Sequence, residues 1–177
     1  MEAIYAIDIN GGLSKDSIIP WNSKKDMKFF MNKTINNVVI MGKNTYFSLP
    51  DNVRPLKNRL NIVLTSNPDH LINEKLDSNV VFTNYEKTYY ALNSNRDKII
   101  KTHTYLNKNF KIFFIGGKKI YEQFIPLCDK VWVTQIKKDY FCDLFLHYDF
   151  SNEFKEPQII DEDHELKICL YEKKIFN

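Results

Sequence analysis

Short β-branched runs alternate with amphipathic stretches along the whole chain, with no internal repeat and no Gly/Ser linker. That alternation restricts the fold to an α/β domain whose strands, buried on both faces, form a mostly parallel sheet flanked by helices. The strand candidates are Ala3 to Ile7, Val38 to Met41, Leu60 to Thr65, Val80 to Thr83, Lys111 to Ile115 and Lys130 to Ile136. Helical candidates lie between them at Lys24 to Lys33, Asn44 to Leu49, Tyr85 to Asn93 and Lys118 to Phe124. After Asp139 the character changes, and "DHELKICLYEKKIF" alternates like an edge or hairpin strand, so the C-terminus adds antiparallel strands. The polar stretch Asn93 to Asn109 reads as a surface excursion without chemistry. At 177 residues and 44% hydrophobic, the chain suits one compact domain, 1–177.

Several function classes fall away on charge and residue type. Lys+Arg 25 against Asp+Glu 22 leaves +3, with no long basic block to seek nucleic acid or a membrane surface, although small anionic ligands fit. The apolar runs are too short to span a bilayer and no basic-then-apolar leader precedes the first strand, which makes a cytoplasmic protein the expectation. Cys128, Cys142 and Cys169 are far apart and lack CxxC spacing, and His70, His103, His147 and His164 are equally scattered. A disulfide framework, a metal site and nucleophilic catalysis are therefore not expected.

Two strands run into glycine and then a helix: "VVIMGKNTYFSL" and "IFFIGGKKIYEQF". Glycine lets a backbone approach a ligand, and the following helix offers free N–H groups to phosphate. Either junction alone is better explained by steric needs at a strand end, since glycines end strands for that reason more often than for ligands. The pair, each followed by lysine (Lys43; Lys118 and Lys119), points to a ligand with more than one phosphate while leaving the steric reading open. Neither matches GxGxxG.

A third feature is an acid in an apolar setting. In "SIIPWNSKKDMKFFMNKT", helical pitch from Ser23 places Met27, Phe30, Met31 and Thr34 on one side and Lys24, Lys25, Lys28 and Asn32 on the other. Asp26 falls between Phe29 and Phe30 at the edge of the apolar stripe, where an ionised carboxylate needs a partner. An ordinary reading competes: with Ser23 as N-cap, Asp26 stands third in the helix and favours its dipole. Trp21 reads equally as a core aromatic, and Thr134 as a good strand former whose hydroxyl needs a partner.

In order, "IIPWNSKKDMKFF", "NNVVIMGKNTYFSLP", "RPLKNRLNIVLTS", "FFIGGKKIYEQFIP" and "DKVWVTQI" resemble the successive motifs of dihydrofolate reductases, and the likeness continues through "CDLF" to the closing strand. The resemblance implies an eight-stranded mixed sheet, mostly parallel, and NADPH-dependent reduction of dihydrofolate to tetrahydrofolate. Asp26 matches the acid that accepts hydrogen bonds from the pterin 2-amino group and N3, with Thr134 in the same network and Trp21 beside it. Ile4, Tyr5 and Ala6 match the strand that walls pterin and nicotinamide. Met27, Phe30, Leu49, Leu56 and Ile115 match apolar neighbours of the substrate, and Arg59 the arginine that grips its α-carboxylate. For the cofactor the resemblance implies Ala6, Leu13, Ile19, Gly42, Lys43, Asn44, Thr45, Leu64, Thr65, Ser66, Ile115, Gly116, Gly117, Lys118, Lys119, Ile120 and Tyr121, with a cis Gly-Gly peptide. Lys43 and the hydroxyls at 65 and 66 favour a 2′-phosphate.

Antifolate binding, a monomeric state and a link to thymidylate synthase in the natural context belong to the same expectation. The chain departs from the pattern at Ser14 and Ser17, where glycines are common, at Ile19, at Tyr46 in place of a tryptophan, and at His147 in place of a proline. Two other readings compete with turnover of dihydrofolate. One is a pyrimidine reductase of riboflavin biosynthesis, which is not expected to keep Pro20-Trp21, Asp26 and Arg59 together. The other is a binding protein that has lost activity.

Overall fold

The computed structural model describes residues 1–71 and 78–176. In chain order the elements are β1 Glu2–Ile7, β2 Gly12–Ser14, α1 Lys24–Thr34, β3 Val38–Gly42, α2 Lys43–Ser48, β4 Leu60–Leu64, β5 Val80–Thr83, α3 Thr88–Ser94, α4 Arg96–Thr102, β6 Ile112–Phe114, α5 Lys118–Phe124, β7 Lys130–Ile136, β8 Leu144–Phe145, β9 Gln158–Glu162 and β10 Leu166–Glu172. Eight strands form one mixed sheet in the order β5-β4-β3-β6-β1-β7-β10-β9, and β2 pairs with β8 in a separate ribbon.

The chain divides into two compact units, Met1–Phe30 with Lys118–Asn177, and Met31–Gly117. In the first, β1 runs parallel to β7, while β10 pairs antiparallel with both β7 and β9. In the second, β3 lies parallel to β4 and β6, and β4 to β5. Val38, Val39, Ile40, Met41, Ile62 and Val63 are essentially inaccessible, as expected of strands covered on both faces.

Most of the alternation is borne out, with three differences of physical interest. The "DHELKICLYEKKIF" strand is interior, hydrogen-bonded on both sides, and the edge falls to β9, whose residues are all exposed. The hairpin reading holds because Asp163 accepts from Glu165 N and Leu166 N and so closes the turn. Helix α3 starts at Thr88, not Tyr85, because Thr83 Oγ1 and Thr88 Oγ1 hold Tyr85 in a turn. The polar excursion contains α4, which buries none of its residues. It is tethered by Arg96, whose guanidinium lies 3.9 Å from the Phe110 ring centre and donates to Phe110 O at 2.7 Å.

Candidate active site

In the first unit the acid sits where the N-cap places it. Ser23 Oγ accepts from Asp26 N–H at 3.1 Å, so the capping reading is correct. It does not account for the carboxylate. Burial raises the Asp26 pKa from its ordinary value; the Trp21 indole and the Thr134 hydroxyl pull it partly back, and Glu165 pushes it up. No cation is among these influences. Thr134 is buried in the middle of β7, opposite Ala6 of β1 and Ile168 of β10. Trp21 packs with Ile136, Cys142, Leu166 and Ile168, edge-on to Tyr140 at 5.7 Å. Its Nε1 is buried and meets no acceptor in hydrogen-bonding geometry, although the indole is near enough to act on Asp26. The site thus holds a half-buried carboxylate of raised pKa beside an unsatisfied indole donor.

Around them, Ile4 and Tyr5 are buried and Ala6 is half-buried. Tyr121 O–H donates to Ile4 O at 3.0 Å and its ring lies 4.9 Å from Tyr5, which fixes the middle of β1. Helix α1 differs from an ordinary amphipathic helix because Thr34 is its sole buried residue. Met27 and Met31 are 63% and 46% exposed and Phe30 is half-buried, so the apolar stripe is open rather than packed. An open apolar stripe beside a half-buried acid has the character of a candidate ligand-binding surface. Among the lysines on the other side, Lys25 binds Asp163 at 2.8 Å and Asp161 at 3.0 Å, pinning the first turn of α1 to the β9–β10 hairpin. Sequence spacing gave no sign of this pair.

The loop before α1 is built on a residue that the sequence reading missed. Asp8 is fully buried at the end of β1; Oδ1 accepts from Asn10 N at 2.9 Å and Gly12 N at 2.8 Å, and Oδ2 from Tyr140 N at 3.1 Å. The signal was present as "DINGG", an aspartate ahead of turn residues. A side chain at Gly12 would collide with Cys142 and Asp8. Farther on, Lys15 and Ile18 exchange backbone hydrogen bonds at 2.9 Å across Asp16 and Ser17, whose φ values of 49° and 63° are left-handed. Ser17 occupies a conformation that glycine would take without cost. Leu13 is buried, whereas Ile18 and Ile19 at the loop's far side are exposed.

In the second unit the two glycine junctions are neighbours. Gly42 N–H, at the end of β3, donates to Gly116 O at 2.8 Å, and the Gly116–Gly117 peptide is cis. A Cβ on Gly117 would come within 3.2 Å of Thr45 Oγ1, so glycine leaves a shallow backbone cradle beside that hydroxyl. Lys43 and Asn44 are exposed at the start of α2, Leu64, Thr65 and Ile115 are half-buried, and Ser66 is exposed. Thr65 N–H extends the ladder to Thr83 O at 2.9 Å. Lys118 and Lys119 open α5 in the first unit; Lys118 lies 3.8 Å from Glu122, and Ile120 and Tyr121 point into the core.

Arg59 is the mirror image of Asp26. It is buried, donates from Nε to Lys57 O at 3.0 Å and from Nη1 to Thr34 Oγ1 at 3.2 Å, and has no acidic partner among the described residues. Burial lowers its pKa. It lines a cleft of about 370 Å³ with Met31, Ile35, Asn52, Val53, Lys57 and Asn58. Leu56 beside it is buried and held by Asn61, and Leu49 is half-buried. Among the described residues no cluster of His, Cys, Asp and Glu could hold a metal ion, and no helix is long and apolar enough to cross a membrane.

The family model for dihydrofolate reductase matches residues 1–173. The chain is 31% identical over 152 residues to a dihydrofolate reductase of Ureaplasma parvum serovar 3, covering 86% of this chain and 85% of that one. It is 34% identical over 154 residues to a bifunctional dihydrofolate reductase-thymidylate synthase of Daucus carota, covering 82% of this chain and 28% of that one. Among solved structures it is similar to dihydrofolate reductase from Enterococcus faecalis complexed with NADP(H) and RAB-propyl, with a TM-score of 0.71, 27% identity and coverage of 98% and 96% of the two chains. On motif order, sheet topology and these likenesses together, the chain belongs to the dihydrofolate reductase family.

Proposed function

We propose that the chain carries out its family's reaction, NADPH-dependent reduction of 7,8-dihydrofolate to 5,6,7,8-tetrahydrofolate, through Asp26, Trp21 and Thr134 at the pterin and Arg59 at the glutamate tail. The observation that carries these roles is the half-buried Asp26 carboxylate, its pKa raised by desolvation and faced by an indole and a hydroxyl but, among the described residues, by no cation. A pterin's 2-amino group and N3 form a donor pair that satisfies such a carboxylate, as charge-assisted hydrogen bonds. Trp21 Nε1 and Thr134 Oγ1 complete the polar rim. Asp26 then orients and polarises the ring so that N5 accepts a proton delivered by water, and its raised pKa ties turnover to pH.

When bound, NADPH supplies the hydride to pterin C6. The residues that suit it are the cradle of Gly42, Gly116, Gly117 and Thr45, with Lys43, Asn44, Leu64, Thr65 and Ser66 toward the phosphates and adenosine. By the resemblance, Ala6, Leu13 and Ile19 in the first unit and, separately, Ile115 in the second match nicotinamide neighbours, and the helix opened by Lys118 and Lys119 matches the second phosphate element. Met27, Phe30, Leu49 and Leu56 would pack the pterin and benzoyl rings. The same polar rim suits antifolates with an amidine-like edge. We read the chain as one functional domain over 1–177, cytoplasmic and monomeric; the Daucus carota relative makes a fused or associated thymidylate synthase the partner to look for.

The decisive assay follows NADPH oxidation with and without added dihydrofolate, and repeats it with NADH. Oxidation that requires dihydrofolate and is faster with NADPH supports the proposal. Fluorescence quenching by folate with NADPH left intact would make the chain a binding protein.

A further inference from the structure

The Arg59 cleft carries a second cation with no assigned role. Residues 56 to 59 turn back at Asn58, whose φ of 55° lies in the left-handed region that asparagine tolerates. The turn directs Lys57 and Arg59, two positions apart, into one cleft. Its remaining walls are apolar, from Met31, Ile35 and Val53, or neutral and polar, from Asn52 and Asn58, and no carboxylate among the described residues lines it. Arg59 is already partly committed, with Nε bound to Lys57 O and Nη1 to Thr34 Oγ1. A guanidinium has five N–H donors in a rigid fork, so what remains suits one carboxylate. Any further negative charge on the same ligand must go elsewhere, and Lys57 is exposed, flexible and without an acidic partner among the described residues.

We propose that Lys57 is a specificity-determining residue that reads a second carboxylate on the substrate's glutamate tail, beyond the one taken by Arg59. The inference rests on the role given to Arg59 above. The two cations divide the work: Arg59 selects carboxylate geometry from a fixed, desolvated position, and Lys57 responds to added charge with little demand on its placement. Because the lysine is solvated, the contribution is modest and screened by salt.

The test compares KM for dihydrofolate with KM for its γ-amide, which has one tail carboxylate fewer, at saturating NADPH in wild type, Lys57→Met, Lys57→Arg and Arg59→Lys. The wild type is expected to prefer dihydrofolate by about threefold, the scale of one exposed ion pair, with the preference shrinking as salt is added. Lys57→Met abolishes the preference, Lys57→Arg keeps it, and Arg59→Lys raises KM for both substrates. A Lys57→Met protein that retains the wild-type preference overturns the proposal alone, whereas an Arg59→Lys protein with wild-type KM for both substrates overturns the Arg59 role and this proposal with it.

Discussion

Asp8, fully buried at the end of β1, and Asp26, half-buried in the first turn of α1, both feel desolvation, yet their surroundings treat them in opposite ways. Burial alone would raise the Asp8 pKa, but the backbone N–H groups of Gly12, Tyr140 and Asn10 and the Cys142 thiol outweigh it and hold the carboxyl below its ordinary value. At Asp26 burial prevails over two neutral donors and the pKa is raised. One acid is solvated by its own chain and organises a loop. The other keeps a raised pKa beside two neutral donors, a perturbation of the kind that marks candidate binding sites. The balance of donors against desolvation separates the two acids.

The sharpest way to break this comparison is to remove each charge in turn. Asp26→Asn should fold and bind NADPH, yet lose about 100-fold or more in kcat/KM at neutral pH, the scale of a lost acid-base group. Its residual rate should rise toward acid, where preprotonated substrate needs less help; steady-state kinetics across pH would check both parts. Wild-type turnover at neutral pH would remove Asp26 from the chemistry. Arg59→Ala should raise KM for dihydrofolate by about 30-fold, corresponding to the ~2 kcal/mol at the low end for losing a buried charged contact, with a smaller effect on kcat. An unchanged KM would leave the buried guanidinium without a purpose.

Stability should move in opposite directions at the two acids. Asp8→Ala strands several backbone N–H groups and should cost about 2–3 kcal/mol in denaturant unfolding, the range for hydrogen bonds to a charged group. The native Asp8 pKa is depressed, so its contribution is present above the unfolded value and fades as pH falls through the folded one. The native Asp26 pKa is raised, so its burial costs stability at neutral pH and that cost is relieved as pH falls through the folded value. Ligand-free Asp26→Asn should therefore melt above wild type at neutral pH, by roughly 2–4 °C for each kcal/mol relieved. The smallest effect is expected at the loop tip, where Ser17→Gly removes the left-handed strain and should add about 0.5 kcal/mol.

Much of this was legible in the sequence because it was local. The β-branched runs mark strands β1 and β3 to β7 within a residue or so, and Ser23 with Asp26 marks the start of α1 by capping chemistry that needs no tertiary context. The two glycine junctions were readable as a pair, and their adjacency through Gly42 and Gly116 follows from the pairing of β3 with β6. What stayed hidden depends on residues distant in the chain. Asp8 is identifiable as a scaffold acid only once Tyr140 and Cys142 arrive, and Lys25 looks like a solvated lysine until Asp161 and Asp163 meet it. Periodicity likewise cannot tell an apolar stripe that packs from one held open, so spacing alone places Met27 and Met31 on the apolar side of α1 without showing that they are exposed.

The central claim can be read directly at one carbon atom. With carbon-13 placed in the aspartate side chains and Asp26 assigned through Asp26→Asn, the carboxyl resonance is titrated in the ligand-free protein and again under saturating folate. The account predicts a midpoint above the ordinary aspartate value in the free protein and a lower one when the pterin donors are bound. A midpoint already ordinary in the free protein, or one that folate leaves unchanged, would contradict it.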